Sequence, residues 1–211
     1  MTPSRRILQR AEAPPVILAS ASASRARLLA AAGITLEQRP AAVDEDAIRE
    51  ALRAEGATPA DAAIELAELK AGRVASQASA AVIVLGADQI LSCEDRWFAK
   101  PLDLAEARAQ LEALAGRRHE LATAVVAFRG GARIWHSVTV ARLWLRPCSP
   151  GFLDDYLSAV GEQALASVGA YQIEGPGAQL FARVEGDQFA IQGLPLLEVL
   201  EFLRAQGVLA P

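Results

Sequence analysis

Ala81-Val-Ile-Val-Leu85-Gly86-Ala-Asp88-Gln89-Ile-Leu91 is the stretch on which the reading of this chain turns. Ala81 to Leu85 is an unbroken apolar run containing β-branched residues, as expected of a strand buried on both faces of its sheet. Gly86 and Asp88 then interrupt it, and apolar residues continue the strand through Leu91. A strand covered on both sides needs helices above and below it. The flanking sequence supplies them.

Upstream, Val16 to Ala19 reads as a short buried strand, Ser20 to Ser24 as a turn, and Arg25 to Ala32 as a helix closed by Gly33. Ile34 to Arg39 reads as a second strand, and Val43-Asp-Glu-Asp46 caps a helix through about Arg53. Thr58-Pro59 starts a helix running to about Gln77, with proline at its first position and an apolar face set by Ile64, Leu66, Leu69 and Val74. Downstream, Lys100-Pro101 precedes a helix from Leu104 to Leu114, ended by Gly116. His119 to Phe128 and Ala132 to Leu145 are strands joined by Gly130-Gly131, a hairpin signal. Ser149 opens a further helix. It is followed by the glycine-rich span Gly169 to Gly177, a strand near Gln179 to Val184, and a last helix from Pro195 to Gln206. Alternating strands and helices with one hairpin predict an α/β fold built on a mixed sheet flanked by helices.

The bulk properties narrow the function. The chain has 211 residues, 52% of them apolar and 22% charged, enough to bury a core without disulfides. Residues 1–15 are expected to form a flexible arm, basic at Arg5, Arg6 and Arg10 and ending at Pro14-Pro15, before a single domain over 16–211. No apolar segment follows those arginines, so a signal peptide is not expected. No apolar run approaches the ~20 residues that cross a bilayer, so a membrane-spanning helix is not expected and neither is a membrane partner. A formal charge of −4 without a basic tract argues against nucleic acid, whose binding rests on phosphate neutralisation. Cys93 and Cys148 form no paired motif and fit a reducing, cytoplasmic setting.

Four places carry residues suited to chemistry. Ser20-Ala-Ser22-Ala-Ser24-Arg25 lies between a strand and a helix, where unpaired N–H groups seat an anion and an arginine adds a bidentate contact. Serine N-capping alone explains those hydroxyls equally well. Asp88, following a glycine at the end of a buried run, is placed to activate water or hold a metal. An aspartate satisfying a turn is its ordinary alternative. Glu45, Lys70 and Lys100 complete a set of carboxylates and ammonium groups that suits metal-assisted hydrolysis of a polyphosphate. Each taken singly reads as a surface charge. Glu174, within Gly169-Ala-Tyr-Gln-Ile-Glu-Gly-Pro-Gly177, can accept the adjacent N–H donors of a guanine edge, or simply sit in a tight loop. His119 and His136 stand isolated in strands, and no glycine-rich nucleotide motif or nucleophile elbow is present.

In order, these segments resemble the Maf family of nucleotide pyrophosphatases. The matching pieces are Leu18-Ala-Ser20-Ala-Ser22, Arg25-Ala-Arg-Leu-Leu29, Val43-Asp-Glu45, Leu66-Ala-Glu-Leu-Lys70-Ala and Gly86-Ala-Asp88-Gln89. They continue through Lys100-Pro101, Leu114-Ala-Gly-Arg-Arg-His119, Gly169-Ala-Tyr-Gln-Ile-Glu174-Gly175, Val184-Glu-Gly-Asp187 and Gly193-Leu-Pro-Leu196. The resemblance implies an elongated mixed sheet with two lobes around a cleft, of the Maf and ITPase type, often as a homodimer. It implies a house-cleaning hydrolase that cuts nucleoside triphosphates to monophosphate and diphosphate with a divalent metal, Mg2+ or Mn2+. On that pattern Asp88 is the proton acceptor and Glu45 its helper, these two holding the metal. Lys70 and Lys100 serve the reaction beside them, and Ser20, Ser22 and Arg25 hold phosphates. Ser24, Gln89 and Glu174 fall where the family selects its base. Gln89 with Glu174 is closer to the branch acting on 7-methyl-GTP than to the branch acting on thymidine and uridine triphosphates. One departure stands out: Ser24 occupies the place of the first arginine in the usual Ser-Pro-Arg-Arg motif, and the sequence does not say whether Arg27 takes over. The other classes open to such a chain are a phosphatase releasing orthophosphate and a non-catalytic binding protein of septum formation.

Overall fold

The run from Ile83 to Cys93 becomes the spine of a seven-stranded sheet. The computed structural model describes residues 8–211. In chain order the elements begin with β1 (Val16–Leu18), α1 (Ala23–Ala31), β2 (Glu37–Gln38), α2 (Glu45–Ala54) and α3 (Pro59–Ala75). There follow β3 (Ile83–Cys93), β4 (Arg96–Phe98), α4 (Leu104–Leu114), β5 (Arg118–Arg129) and β6 (Ala132–Leu145). The last are α5 (Pro150–Val160), β7 (Phe181–Glu185), α6 (Gln188–Ile191) and α7 (Leu196–Ala205). Among the described residues no helix is long and apolar enough to cross a membrane.

The strand order is β2-β1-β3-β5-β6-β7, with β4 paired to β3 off that path. β1 runs parallel to β2 and β3, and every other pair is antiparallel, so the sheet is mixed. β5 lies along β3 from Val84 to Ser92. The opposite edge of β3 is shared: β1 covers Ile83 to Leu85 and β4 covers Leu91 to Cys93. Among the described residues Gly86 to Ile90 therefore have no strand beside them on that edge. The sheet splits there, at Asp88.

The core follows the split. One cluster packs α1 and α7 against Leu85, Ala87 and Val125 on one face. A second packs α3 against Val84, Ile90 and Val126 on the other, and a third gathers α4, α5 and Tyr171 around the far end of β3. Alternation along β3 sends Asp88, with Val84 and Ile90, toward α3, and Gln89 toward the other face. Gly86 shares the Asp88 face. A Cβ there would lie 2.1 Å from the Ala67 carbonyl oxygen and 2.7 Å from the Ala71 nitrogen. Only glycine lets α3 seat this close to the strand.

Several expectations are corrected. The buried face of α3 is Ala62, Ala63, Leu66, Ala67, Lys70, Ala71 and Val74, whereas Leu69 is 44% exposed. Leu66 and Val74 are buried as expected and Ile64 partly so, but where α3 crosses Gly86 it is the small Ala67 and Ala71 that set the contact, because the helix lies almost on the backbone of β3. The strand expected from Ile34 starts only at Glu37: Gly33 closes α1 with a Schellman turn, in which the Ile34 N–H bonds back to Leu29 O at 3.0 Å. The strand expected near Gln179 begins at Phe181, because Pro176–Leu180 is a 3-10 turn. β4 had no expectation, since its turn at Glu94-Asp95 carries neither glycine nor proline, and Glu94 itself takes φ 53°. Of the expected basic arm, residues 1–7 lie outside the described residues. Beyond them the arm is pinned, with Gln9 bridging Leu209 and the Arg10 N–H donating to Val208 O at 2.9 Å.

Gly86→Ala forces α3 away from β3, and overpacking of this kind costs about 3 kcal/mol. A urea titration should show that loss, and an unchanged midpoint would contradict the seating of α3 described above.

Candidate active site

All ten residues expected at the site line one cleft of ≈ 490 Å³ at the split in the sheet. They come from the β1–α1 turn, α1 and α2, α3, β3, the segment after β4, and the loop following α5. Ser22 is the N-cap of α1, its hydroxyl accepting from the Arg25 N–H at 3.4 Å, so the ordinary capping role holds alongside any other. Glu45 opens α2 behind the Asp44 cap.

At the inner end two carboxylates share one cation. The Lys70 ammonium lies 2.6 Å from Asp88 Oδ1 and 2.8 Å from Glu45 Oε2. Lys70 and Asp88 are both about 5% exposed, while Glu45 reaches solvent. The second oxygen of Asp88, Oδ2, is buried and has no hydrogen-bond partner among the described residues. A buried carboxylate oxygen without a partner is costly, and it marks the place where a proton, a water or a cation belongs. Among the described residues no group of three or more His, Cys, Asp or Glu gathers to hold a metal, so Glu45 and Asp88 stand as a pair. That pair fits a hard cation which takes its remaining ligands from substrate phosphates and water.

Lys100 exposes much of its stem, yet the cleft walls partly desolvate its ammonium and lower its pKa. Arg25 and Lys70 push it the same way, while Glu45 and Asp88 oppose them. Three cations thus converge near two carboxylates.

Arg25 is more deeply engaged than the sequence suggested. Its Nε donates to Gly193 O at 2.8 Å, and its Nη1 donates to Ser20 Oγ at 2.9 Å and to Ala87 O at 2.8 Å. The Ala87 carbonyl lies on the stretch of β3 that lacks a strand neighbour, so the guanidinium satisfies the gap. The expected bidentate fork is therefore reduced to Nη2, which has no protein partner among the described residues. Burial lowers the pKa of Arg25, and Asp88 and Glu45 counter only part of that effect.

Gln89 is likewise committed. Its amide nitrogen donates to Thr123 Oγ1 at 2.8 Å and to Ala190 O at 3.0 Å, and Thr123 Oγ1 itself donates to Ala190 O at 3.0 Å. The pair ties α6 to the sheet. Thr123 escaped the sequence reading, although it is the sole polar residue between Leu121 and Phe128. Tyr171, which lines the cleft, and His119 beneath it were also missed as partners: Tyr171 OH and His119 Nε2 are 2.7 Å apart. Burial brings His119 down to about 4 and raises the Tyr171 phenol, so both are neutral. Phe181 meets Tyr171 edge-on at 4.9 Å, completing a support under the loop that carries Glu174. Ser24 and Glu174 face each other across the outer end of the cleft, joined through Arg27.

The arrangement defines a class: an α/β protein whose split sheet houses a cleft lined by Arg25, Lys70 and Lys100 with an acid at its floor. The chain belongs to the Maf family, whose pattern, described as Maf-like protein, matches residues 15–206. A nucleoside triphosphate pyrophosphatase of Rhodospirillum rubrum is 52% identical over 93% of this chain and 96% of its own length. One from Paramagnetospirillum magneticum is 52% identical over 92% of this chain and all of its own. A 7-methyl-GTP pyrophosphatase of Rhizobium meliloti is 50% identical over 93% of this chain and 98% of its own.

His119 supplies a pH test. Its folded pKa lies below the unfolded value of about 6.5, so its packing contributes fully above that value. As pH falls from there toward 4, only the unfolded chain takes up the proton, and about 3 kcal/mol is lost. Urea midpoints measured across this range should fall more steeply in the parent than in His119→Gln; parallel profiles would refute a neutral buried imidazole.

Proposed function

We propose that this protein hydrolyses nucleoside triphosphates to the monophosphate and pyrophosphate, with Asp88 as the proton acceptor. The observation that carries the reading is the buried, unpartnered Oδ2 of Asp88 in a cleft that also holds Lys70, Lys100 and Arg25. Names borne by relatives of about 50% identity over most of the chain support the same reaction.

In this reading Ser20, Ser22 and the N-terminus of α1 seat the phosphate tail, and Arg25 reaches it through Nη2. Lys100 follows the charge that develops on the leaving pyrophosphate. Lys70 holds Oδ1 of Asp88 and so leaves Oδ2 to take a proton from water. The water oxygen bonds to phosphorus, the bridge between the α and β phosphates breaks, and pyrophosphate departs with the electron pair of that bond. A divalent cation such as Mg2+ or Mn2+, held by Glu45 and Asp88, supplies charge neutralisation and a more acidic water when bound. At the outer end Glu174 accepts from a guanine edge, which leans the choice toward guanosine triphosphate and its 7-methyl form. Gln89 acts on that choice by fixing α6. The protein works, on this proposal, in the cytoplasm as a homodimer on nucleotides rather than on nucleic acid.

A panel of natural and 7-methylated nucleoside triphosphates with Mg2+ should yield pyrophosphate and not orthophosphate. Asp88→Asn should lower kcat by roughly 10²- to 10³-fold, the usual worth of a general base, with an unchanged circular dichroism spectrum. Release of orthophosphate alone, or a variant within a few-fold of the parent, refutes the assignment.

A further inference from the structure

Arg27 takes no part in the proposed reaction, yet it touches two of the residues at the base end of the cleft. Its Nη2 donates to Ser24 Oγ at 3.1 Å and to Glu174 Oε1 at 3.3 Å. Ser24 and Arg27 sit three residues apart on α1, the spacing that stacks side chains on one helical face. Glu174 belongs to the loop after α5, so one nitrogen ties the first helix to a segment 147 residues away. We infer that Arg27 is a positioning residue which sets how strongly the base end favours a cationic base over a neutral one. This rests on the nucleotide reading above.

The geometry fixes the sign. Glu174 is bound through Oε1 alone, and Oε2 has no hydrogen-bond partner among the described residues, so the carboxylate keeps an acceptor for a base edge. Methylation at N7 places a positive charge on guanine, whereas guanine itself is neutral. Glu174 attracts both through hydrogen bonding and the methylated base also through its charge. Arg27 cancels part of that extra attraction and repels the cationic ring, while acting little on the neutral one. The Arg27 side chain is 63% exposed and that of Glu174 28%, so water screens the contact and its effect is graded. Ser24 is too short to hold Glu174 itself and instead steers the guanidinium that does. A chain with arginine at position 24 would place a fork there directly; here the charge arrives from one turn further along the helix.

The test compares GTP and 7-methyl-GTP in the parent, Arg27→Ala and Arg27→Lys, by pyrophosphate release. Removing the guanidinium should raise the ratio of kcat/KM, 7-methyl-GTP over GTP, roughly threefold, the scale of a partly exposed charge pair. The change should sit in KM rather than kcat and shrink in high salt. Arg27→Lys should fall between the two. Dissociation constants of both nucleotides, measured on Asp88→Asn protein with and without the Arg27 change, give a readout that needs no turnover. A ratio that does not move, or moves through kcat alone, overturns the role of Arg27 while leaving the reaction standing. A shifted binding ratio, where the parent with intact Asp88 releases no pyrophosphate from either nucleotide, overturns the reaction and keeps the role of Arg27. Failure to bind either nucleotide overturns both.

Discussion

The contact between α3 and β3 at Gly86 governs the rest of the molecule. Because the strand has no side chain there, the helix backbone comes down onto it, and Ala67 and Ala71 fill the interface. Lys70 lies between those two alanines on the same helical face. Asp88 is two residues beyond Gly86 on the same face of the strand. A helix held so close has no room for its lysine to reach solvent past the sheet, and the ammonium meets the carboxylate at 2.6 Å. Burying such a pair gains little stability over an apolar contact, since desolvation consumes most of the attraction. Its retention in the floor of a cleft points to use rather than to support.

The break in the sheet converts that pair into a site. β1 and β4 each cover part of one edge of β3 and leave Gly86 to Ile90 between them. An open backbone edge must be satisfied, and here Arg25 takes the Ala87 carbonyl from the neighbouring turn. The same guanidinium binds Ser20 and Gly193, so the β1–α1 turn, the spine and the segment before α7 are fixed by one side chain. The cleft therefore opens beside Asp88 with the Ala87 carbonyl still satisfied. Position and chemistry come from one topological fact.

Much of this was legible in the chain. The apolar run into Gly86, the Gly130-Gly131 hairpin, the Thr58-Pro59 helix start and the serine cap are local signals, and each formed where residue chemistry demanded. The candidate side chains were legible too, because a carboxylate or lysine in an apolar frame stands out. What could not be read was their engagement. The burial of Lys70 depends on a glycine 16 positions away, and no periodicity within α3 reports it. Alanines give a weak signal, so large residues define the expected face; Leu66 and Val74 are buried on it and Ile64 packs partly against it, but Leu69 points outward. Arg25 looked like a ligand for phosphate because its three protein acceptors lie on the chain at Ser20, Ala87 and Gly193, two of them backbone carbonyls that any residue carries.

Charge sets the last constraint on the cleft. Toward the inner end, Arg25, Lys70 and Lys100 face Asp88 and Glu45, which leaves the protein's own groups close to balance. A triphosphate tail brings roughly four negative charges, the terminal phosphate titrating with a pKa near 6. One surplus cation cannot neutralise it in a cleft of reduced dielectric, where uncompensated charge is costly. The protein cannot simply carry more lysines there, because without ligand they would repel one another; Lys100 already has its pKa lowered by burial, with Arg25 and Lys70 adding to it. A cation that arrives with the substrate resolves the conflict. On the proposed reaction it would be present only when the phosphates are, and Glu45 and Asp88, which balance the cations of the cleft, would be the groups to receive it. On the proposed reaction, the near-neutral resting charge and the need for a divalent ion are the same design seen in two states.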